Sequence, residues 1–183
     1  MMRIGTFWLK DDMVTPRRPF GSWTTSAILM ALSGAGLVCI GAYFLLLRPP
    51  LLPEDIRFIG LSDSQLASVR PALELWLTQV FRVMGGYILA TGVLTVTLAA
   101  TAYCGHGRLA FVGAVLAGAA SIGLMASVNF AIGSDFKWLL FGLALVWAAS
   151  LVLFWVEESW SMRTLRRWRA DSGNSAGRDR DPE

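Results

Sequence analysis

Apolar residues in this chain do not recur at the three- and four-residue spacing of a helix buried on one face. They fill long runs over residues 26–47, 83–103, 109–132 and 138–156. Each run is close to the roughly 20 residues a helix needs to cross a bilayer. Residues 26–47 and 109–133 contain no Asp, Glu, Lys or Arg, whereas each helix of a soluble bundle would show a charged outer face. The expected fold is all-α: a polytopic membrane protein built as an antiparallel four-transmembrane-helix bundle, with a short interfacial helix in the first outer loop. That places a cytoplasmic N-terminal tail at 1–25, a transmembrane domain at 26–156 with its outer loop at 48–82, and a basic, mostly disordered tail at 157–183.

Breakers and caps refine the picture. Pro49, Pro50 and Pro53 favour an extended start to the outer loop, since proline restricts itself and its predecessor. Ser62 followed by Gln65 predicts a capping box opening the short helix. Leu61, Leu66 and Val69 would lie on the membrane surface, and Pro71 would either kink that helix or begin the next. From Ala72 to Tyr103 no breaker other than glycine intervenes, so the second helix would run about 48 Å at about 1.5 Å per residue. The links 104–108 and 133–137 are short enough to force antiparallel neighbours. Small residues repeat every four along the third span as Ala110, Ala114, Gly118 and as Ala119, Gly123, Ser127. Gly86 and Ala90 on the second span, with Ala31 and Ala35 on the first, would offer matching flat faces. Lipid is as apolar as leucine, so close backbone contact holds such helices together. Packing inside the bundle is the favoured use of these faces, and a homo-oligomer interface is the other.

Charge then sets an orientation. The chain has 183 residues, 55% of them hydrophobic, and a formal charge of +3. Arg3, Lys10, Arg17 and Arg18, with Arg163, Arg166, Arg167, Arg169, Arg178 and Arg180, fall on one side, joined by Arg108. Arg48, Arg57, Arg70, Arg82 and Lys137 are fewer and fall on the other. The positive-inside rule puts both termini in the cytoplasm. Basic residues that flank spans serve orientation, so nucleic acid is not an expected partner. The group Arg163, Arg166, Arg167 and Arg169 directly follows the last span and suits anionic lipid headgroups. The first run is longer than a signal-peptide core and lacks a small-x-small site after it, so it is expected to be retained.

Candidate chemistry is sparse. The outer side gathers Arg82, Glu74, Asn129, Asp135, Lys137, Glu54, Asp55 and Arg57. An Arg82–Asp135 pair would satisfy a guanidinium near hydrocarbon. The plain reading is a snorkelling arginine with ordinary loop charges; the functional one is a polar pocket for a headgroup, a quinone ring or a partner loop. His106 stands alone in Cys104-Gly105-His106-Gly107, which reads as a flexible turn, and no metal site is expected. Cys39 and Cys104 form no C-x-x-C and read as free thiols. Glu157 and Glu158 are candidates for a proton or cation site, or pair with Arg163, or face the cytoplasm. Trp23, Trp155 and Trp160, with Trp76 and Trp138, fit two aromatic belts, and Trp147 fills the interior. No catalytic motif is found and no cofactor is implied.

Arg48-Pro49-Pro50-Leu51-Leu52-Pro53-Glu54-Asp55-Ile56-Arg57, Trp76-Leu77 and Val83-Met84-Gly85-Gly86-Tyr87 resemble stretches of small uncharacterised bacterial four-helix membrane proteins. Asn129-Phe130 and Ser134-Asp135-Phe136-Lys137-Trp138 do likewise. The resemblance covers about residues 26–156, is loosely DoxX-like in helix count and glycine-rich packing, and implies no activity or cofactor. The expected role is a non-enzymatic structural or accessory subunit of a membrane complex, with membrane lipids and a membrane protein or a second copy as partners. The alternative is a lipid- or quinone-binding membrane enzyme or a small transporter that uses the outer polar cluster.

Overall fold

The computed structural model describes residues 23–60 and 62–178, and side-chain surroundings as far as Trp160 apart from Asp63. Regular structure among these residues is entirely helical: α1 (Thr25–Leu46), α2 (Pro53–Ile59), α3 (Asp63–Leu98), α4 (Arg108–Gly118), α5 (Leu124–Ile132) and α6 (Lys137–Arg178). A π-helical turn, Ala99–Tyr103, extends α3, and a second, Ala119–Gly123, joins α4 to α5. Four stretches are long and apolar enough to cross a membrane: Thr25–Leu46, Ser64–Tyr103, Arg108–Ile132 and Lys137–Trp160. Most of the expected N-terminal tail lies outside the described residues.

Local chemistry accounts for most boundaries. The Thr24 hydroxyl caps α1 by accepting from Ala27 N at 3.2 Å. At the other end the amides of Leu47 and Arg48 both donate to Tyr43 O at 2.9 Å, and the prolines follow. The extended start expected after Pro49 gives way to α2. Pro53 stands in its first turn, Glu54 and Asp55 favour its N-terminal dipole, and Gly60 closes it at φ 67°. The capping box forms as the sequence predicts: Ser62 N donates to Gln65 Oε1 at 3.1 Å, and Gln65 N to Ser62 Oγ at 3.4 Å.

That box does not open a separate short helix, because α3 continues through Pro71 into the second span. Pro71 and Ala67 are both exposed, so the carbonyl that loses its partner need not be desolvated. The face expected on the membrane surface is also divided: Leu66 is buried, Val69 is exposed, and Leu61 lies outside the described residues. Beyond Ala170, where composition predicts disorder, α6 stays helical to Arg178. Met162, Leu165 and the arginines to Arg169 are good helix formers; nothing in the local propensities explains the turns after Ala170.

Glycine decides the closest packing. α1 lies along α3 and also against α6. A Cβ on Gly41 would come within 2.5 Å of Leu89 N, and one on Gly85 within 3.0 Å of Gly41 O. Gly34 and Gly92 meet in the same way. The expected faces were Ala31 with Ala35 and Gly86 with Ala90. Ala35 and Ala90 are instead exposed, and Gly86 has nothing within 4 Å of the Cβ it lacks. One residue of offset turns a helix face by about 100°. On the third span Ala110, Ala114 and Gly118 are buried, whereas Ala119 and Ser127 are exposed. Gly118 leaves room for the Trp147 ring, whose Nε1 donates to Ala114 O at 3.2 Å.

Hydroxyls along these spans satisfy themselves. Thr91, Thr95, Thr97, Thr101, Ser121 and Ser127 each donate to the carbonyl four residues earlier. Polar groups on an apolar helix thereby need no partner from outside it.

Candidate functional site: polar clasps at the two helix ends

The expected cluster is only partly assembled. At the end of α1 the Arg48 guanidinium lies 3.6 Å from the Phe81 ring centroid and 5.2 Å from that of Phe44. It also donates to Asp55 Oδ2 at 3.1 Å, with only 9% of its side chain exposed. The same carboxylate oxygen accepts from Leu52 N at 3.0 Å, the first free amide of α2. One aspartate therefore caps α2 and neutralises the arginine that ends α1. The aromatic faces supply cation–π attraction where water is scarce.

The other members scatter. Asp135 faces Arg57 at 3.8 Å, not Arg82, and both partners are mostly exposed. The expected Arg82–Asp135 pair is thus replaced: α2 brings Arg57 to the 133–137 link, and Arg82 stays on an exposed face of α3. Glu74 pairs with Arg70 at 2.7 Å on its own helix, and Asn129 Nδ2 donates to Met125 O at 2.8 Å one turn back. Lys137 opens α6. Glu54 alone is drawn inward, 5% exposed, and forms no ion pair among the described residues. Arg163, Arg166, Arg167 and Arg169 lie on α6, with side chains outside the described residues.

A second polar assembly lies at the Ser26 end, around Glu157, which the sequence offers as a proton or cation site or as a partner of Arg163. Glu157 of α6 accepts from Ser26 N at 3.2 Å through Oε1 and from the Ser26 hydroxyl at 2.5 Å through Oε2. A carboxylate from another helix thus sits at the first turn of α1, where its dipole favours negative charge. Ser150 Oγ donates to Ser26 O at 2.8 Å. Tyr103, the last residue of the π-turn, places its hydroxyl 3.1 Å from both Ser150 O and Ser150 Oγ. Ser26, Ser150 and Tyr103 are fully buried. Around them Ala27, Met30, Ala99, Ala110, Ala114 and Phe154 form the hydrophobic core.

His106 completes this end. Its ring stacks on Phe154 at 4.9 Å between centroids, and Nε2 points to Glu157 Oε2 at 3.5 Å. That nitrogen is buried and makes no hydrogen bond among the described residues. Beside it Arg108 faces Glu158 at 3.8 Å. Sequence proximity could not reveal this set, since Ser26 and Glu157 are 131 residues apart. The signals in the sequence were the Glu157–Glu158 pair after the last span and a histidine between two glycines. Cys39 and Cys104 are free, and among the described residues no three or more His, Cys, Asp or Glu gather as a metal site.

What this arrangement of the described residues can do chemically is bind helix ends and hold charge. The carboxylate lies between Ser26 and His106, so the imidazole is not placed as the base of a Ser–His pair. No protein-family model matches the chain, and neither a curated protein nor a solved structure does.

Proposed function

We propose that this chain is a non-enzymatic, multi-pass protein of the bacterial cytoplasmic membrane that serves as a structural or accessory subunit. The observation that carries the reading is the internal use of its charge. Arg48 is spent on Asp55 and Glu157 on Ser26, at opposite ends of α1, while Leu32, Val83, Leu94, Leu116, Leu139 and Val152 face outward along the apolar spans. Such a body offers neighbours apolar helix faces rather than a polar cleft. The approach of Gly34 to Gly92 and of Gly41 to Gly85 supports an antiparallel bundle. α2, at the end of α1 with Phe58 exposed, is the interfacial helix of this reading. Excess Lys and Arg on the tails supports cytoplasmic termini, and the arginines on α6 suit anionic headgroups. A relation to DoxX-like four-helix proteins belongs to the same proposal.

Native mass spectrometry from mild detergent tests it. A protein that co-purifies at fixed stoichiometry is the expected result, whereas a bound lipid or quinone with no protein partner would overturn it. One observation favours that second reading: Glu54 is a buried carboxylate with no ion pair among the described residues, on the same short helix as Arg57. Reporter fusions at the two termini test the orientation, and a signal from the outside at either end would sink it.

A further inference from the structure

His106 occupies a backbone position that usually belongs to glycine. The chain leaves the π-turn through His106 N donating to Tyr103 O at 3.0 Å and Gly107 N donating to Ala102 O at 3.1 Å. These two bonds make a Schellman turn, which needs a left-handed residue at its centre. The equivalent turn after α5, with Gly133 N on Phe130 O and Ser134 N on Asn129 O, uses Gly133 at φ 70°. Here the residue is His106 at φ 56°, with glycines on both sides. A non-glycine side chain held there costs backbone energy. What the imidazole makes in return is a stack on Phe154 and an approach to the Glu157 carboxylate.

We propose that His106 is a proton-operated catch that fastens the turn after α3 to the first turn of α1 through Glu157. An imidazole gains its proton between neutral and mildly acidic solution. Protonated, its Nε2–H donates to Glu157 Oε2 as a charge-assisted bond. Glu157 already holds Ser26 N and Ser26 Oγ, so the protonated turn is tied to α1 and α6 at one point. Neutral, the imidazole leaves a charge-free contact at 3.5 Å and a buried nitrogen without a hydrogen bond. The other charged or titratable groups facing this end among the described residues are Arg108 and Glu158, paired with each other, Tyr103, turned to Ser150, and Cys104 within the turn. The added stability is therefore present in mildly acidic solution and lost as pH rises.

The test compares thermal midpoints of the full chain in mild detergent at about pH 6 and about pH 8. The natural protein should melt roughly 2–4 °C higher at the lower pH, the shift expected of one such bond in a chain of this size. His106→Gly removes the imidazole while suiting the left-handed turn, so it should fold and lose the difference; Glu157→Gln should lose it too. His106→Asn, which tolerates that backbone, repeats the measurement with a side chain that does not titrate. A pH difference that survives in both His106 variants, or no difference in the natural protein, overturns the proposal. A merely structural histidine would lower the midpoint equally at both pH values.

Discussion

Gly34 and Gly92 face each other at backbone distance. A Cβ on Gly92 would lie 2.7 Å from the carbonyl oxygen of Gly34, and one on Gly34 would lie 2.9 Å from that of Gly92. The obstructing atoms are backbone and cannot rotate away. Gly92→Ala and Gly41→Ala should each cost about 1–3 kcal/mol, the usual range for overpacking. Gly86→Ala, which meets nothing within 4 Å, should be neutral or slightly stabilising. Thermal unfolding in detergent separates them; equal midpoints for Gly86→Ala and Gly92→Ala would refute the close approach.

Tyr103 and Ser150 act as one unit. Among the described residues the tyrosine hydroxyl bonds Ser150, and Ser150 Oγ donates to Ser26 O. Tyr103→Phe should cost about 1 kcal/mol. With Ser150→Ala it should show a coupling of at least about 0.5 kcal/mol in a double-mutant cycle. Strict additivity would mean that the buried chain of hydroxyls does not form.

Arg48 should matter far more than the other basic residues at its end. Arg48→Ala removes the rings' cation and leaves Asp55 unpaired, which should cost about 2–3 kcal/mol. Arg48→Lys should recover only part of it, because an ammonium cannot present a planar face to Phe81 while bonding Asp55. Full recovery by lysine would reduce the site to simple charge.

The Arg57–Asp135 contact is exposed and long, so little depends on it. Asp135→Ala should change stability by less than about 0.5 kcal/mol. Arg82→Ala and Asp135→Ala should be additive, since Asp135 turns to Arg57. Coupling between positions 82 and 135 in detergent-solubilised protein would restore the pairing the sequence suggests.

Glu54→Gln should raise the thermal midpoint in neutral detergent, because a buried carboxylate without an ion pair opposes folding. A drop in midpoint would mean that the carboxylate's place in the first turn of α2 outweighs its burial.

The sequence by itself determined the helices and most of their ends. Run length, prolines, the Ser62–Gln65 box and the 104–108 and 133–137 links are local features, and a helix satisfies its backbone within four residues along the chain. Composition misled only where local rules were outweighed or left unopposed: α2 formed behind Pro53, α3 ran through Pro71, and α6 continued past Ala170. Tertiary structure alone decided which faces meet. Whether Gly85 or Gly86 touches α1 depends on helix rotation, which a small-residue pattern does not specify when glycines are adjacent. Partner choice is equally non-local: Asp135 reaches Arg57 because α2 folds toward the 133–137 link, and Glu157 reaches Ser26 because α6 packs on α1. A polar side chain near hydrocarbon takes the partner that packing brings to it, and that partner cannot be read from spacing.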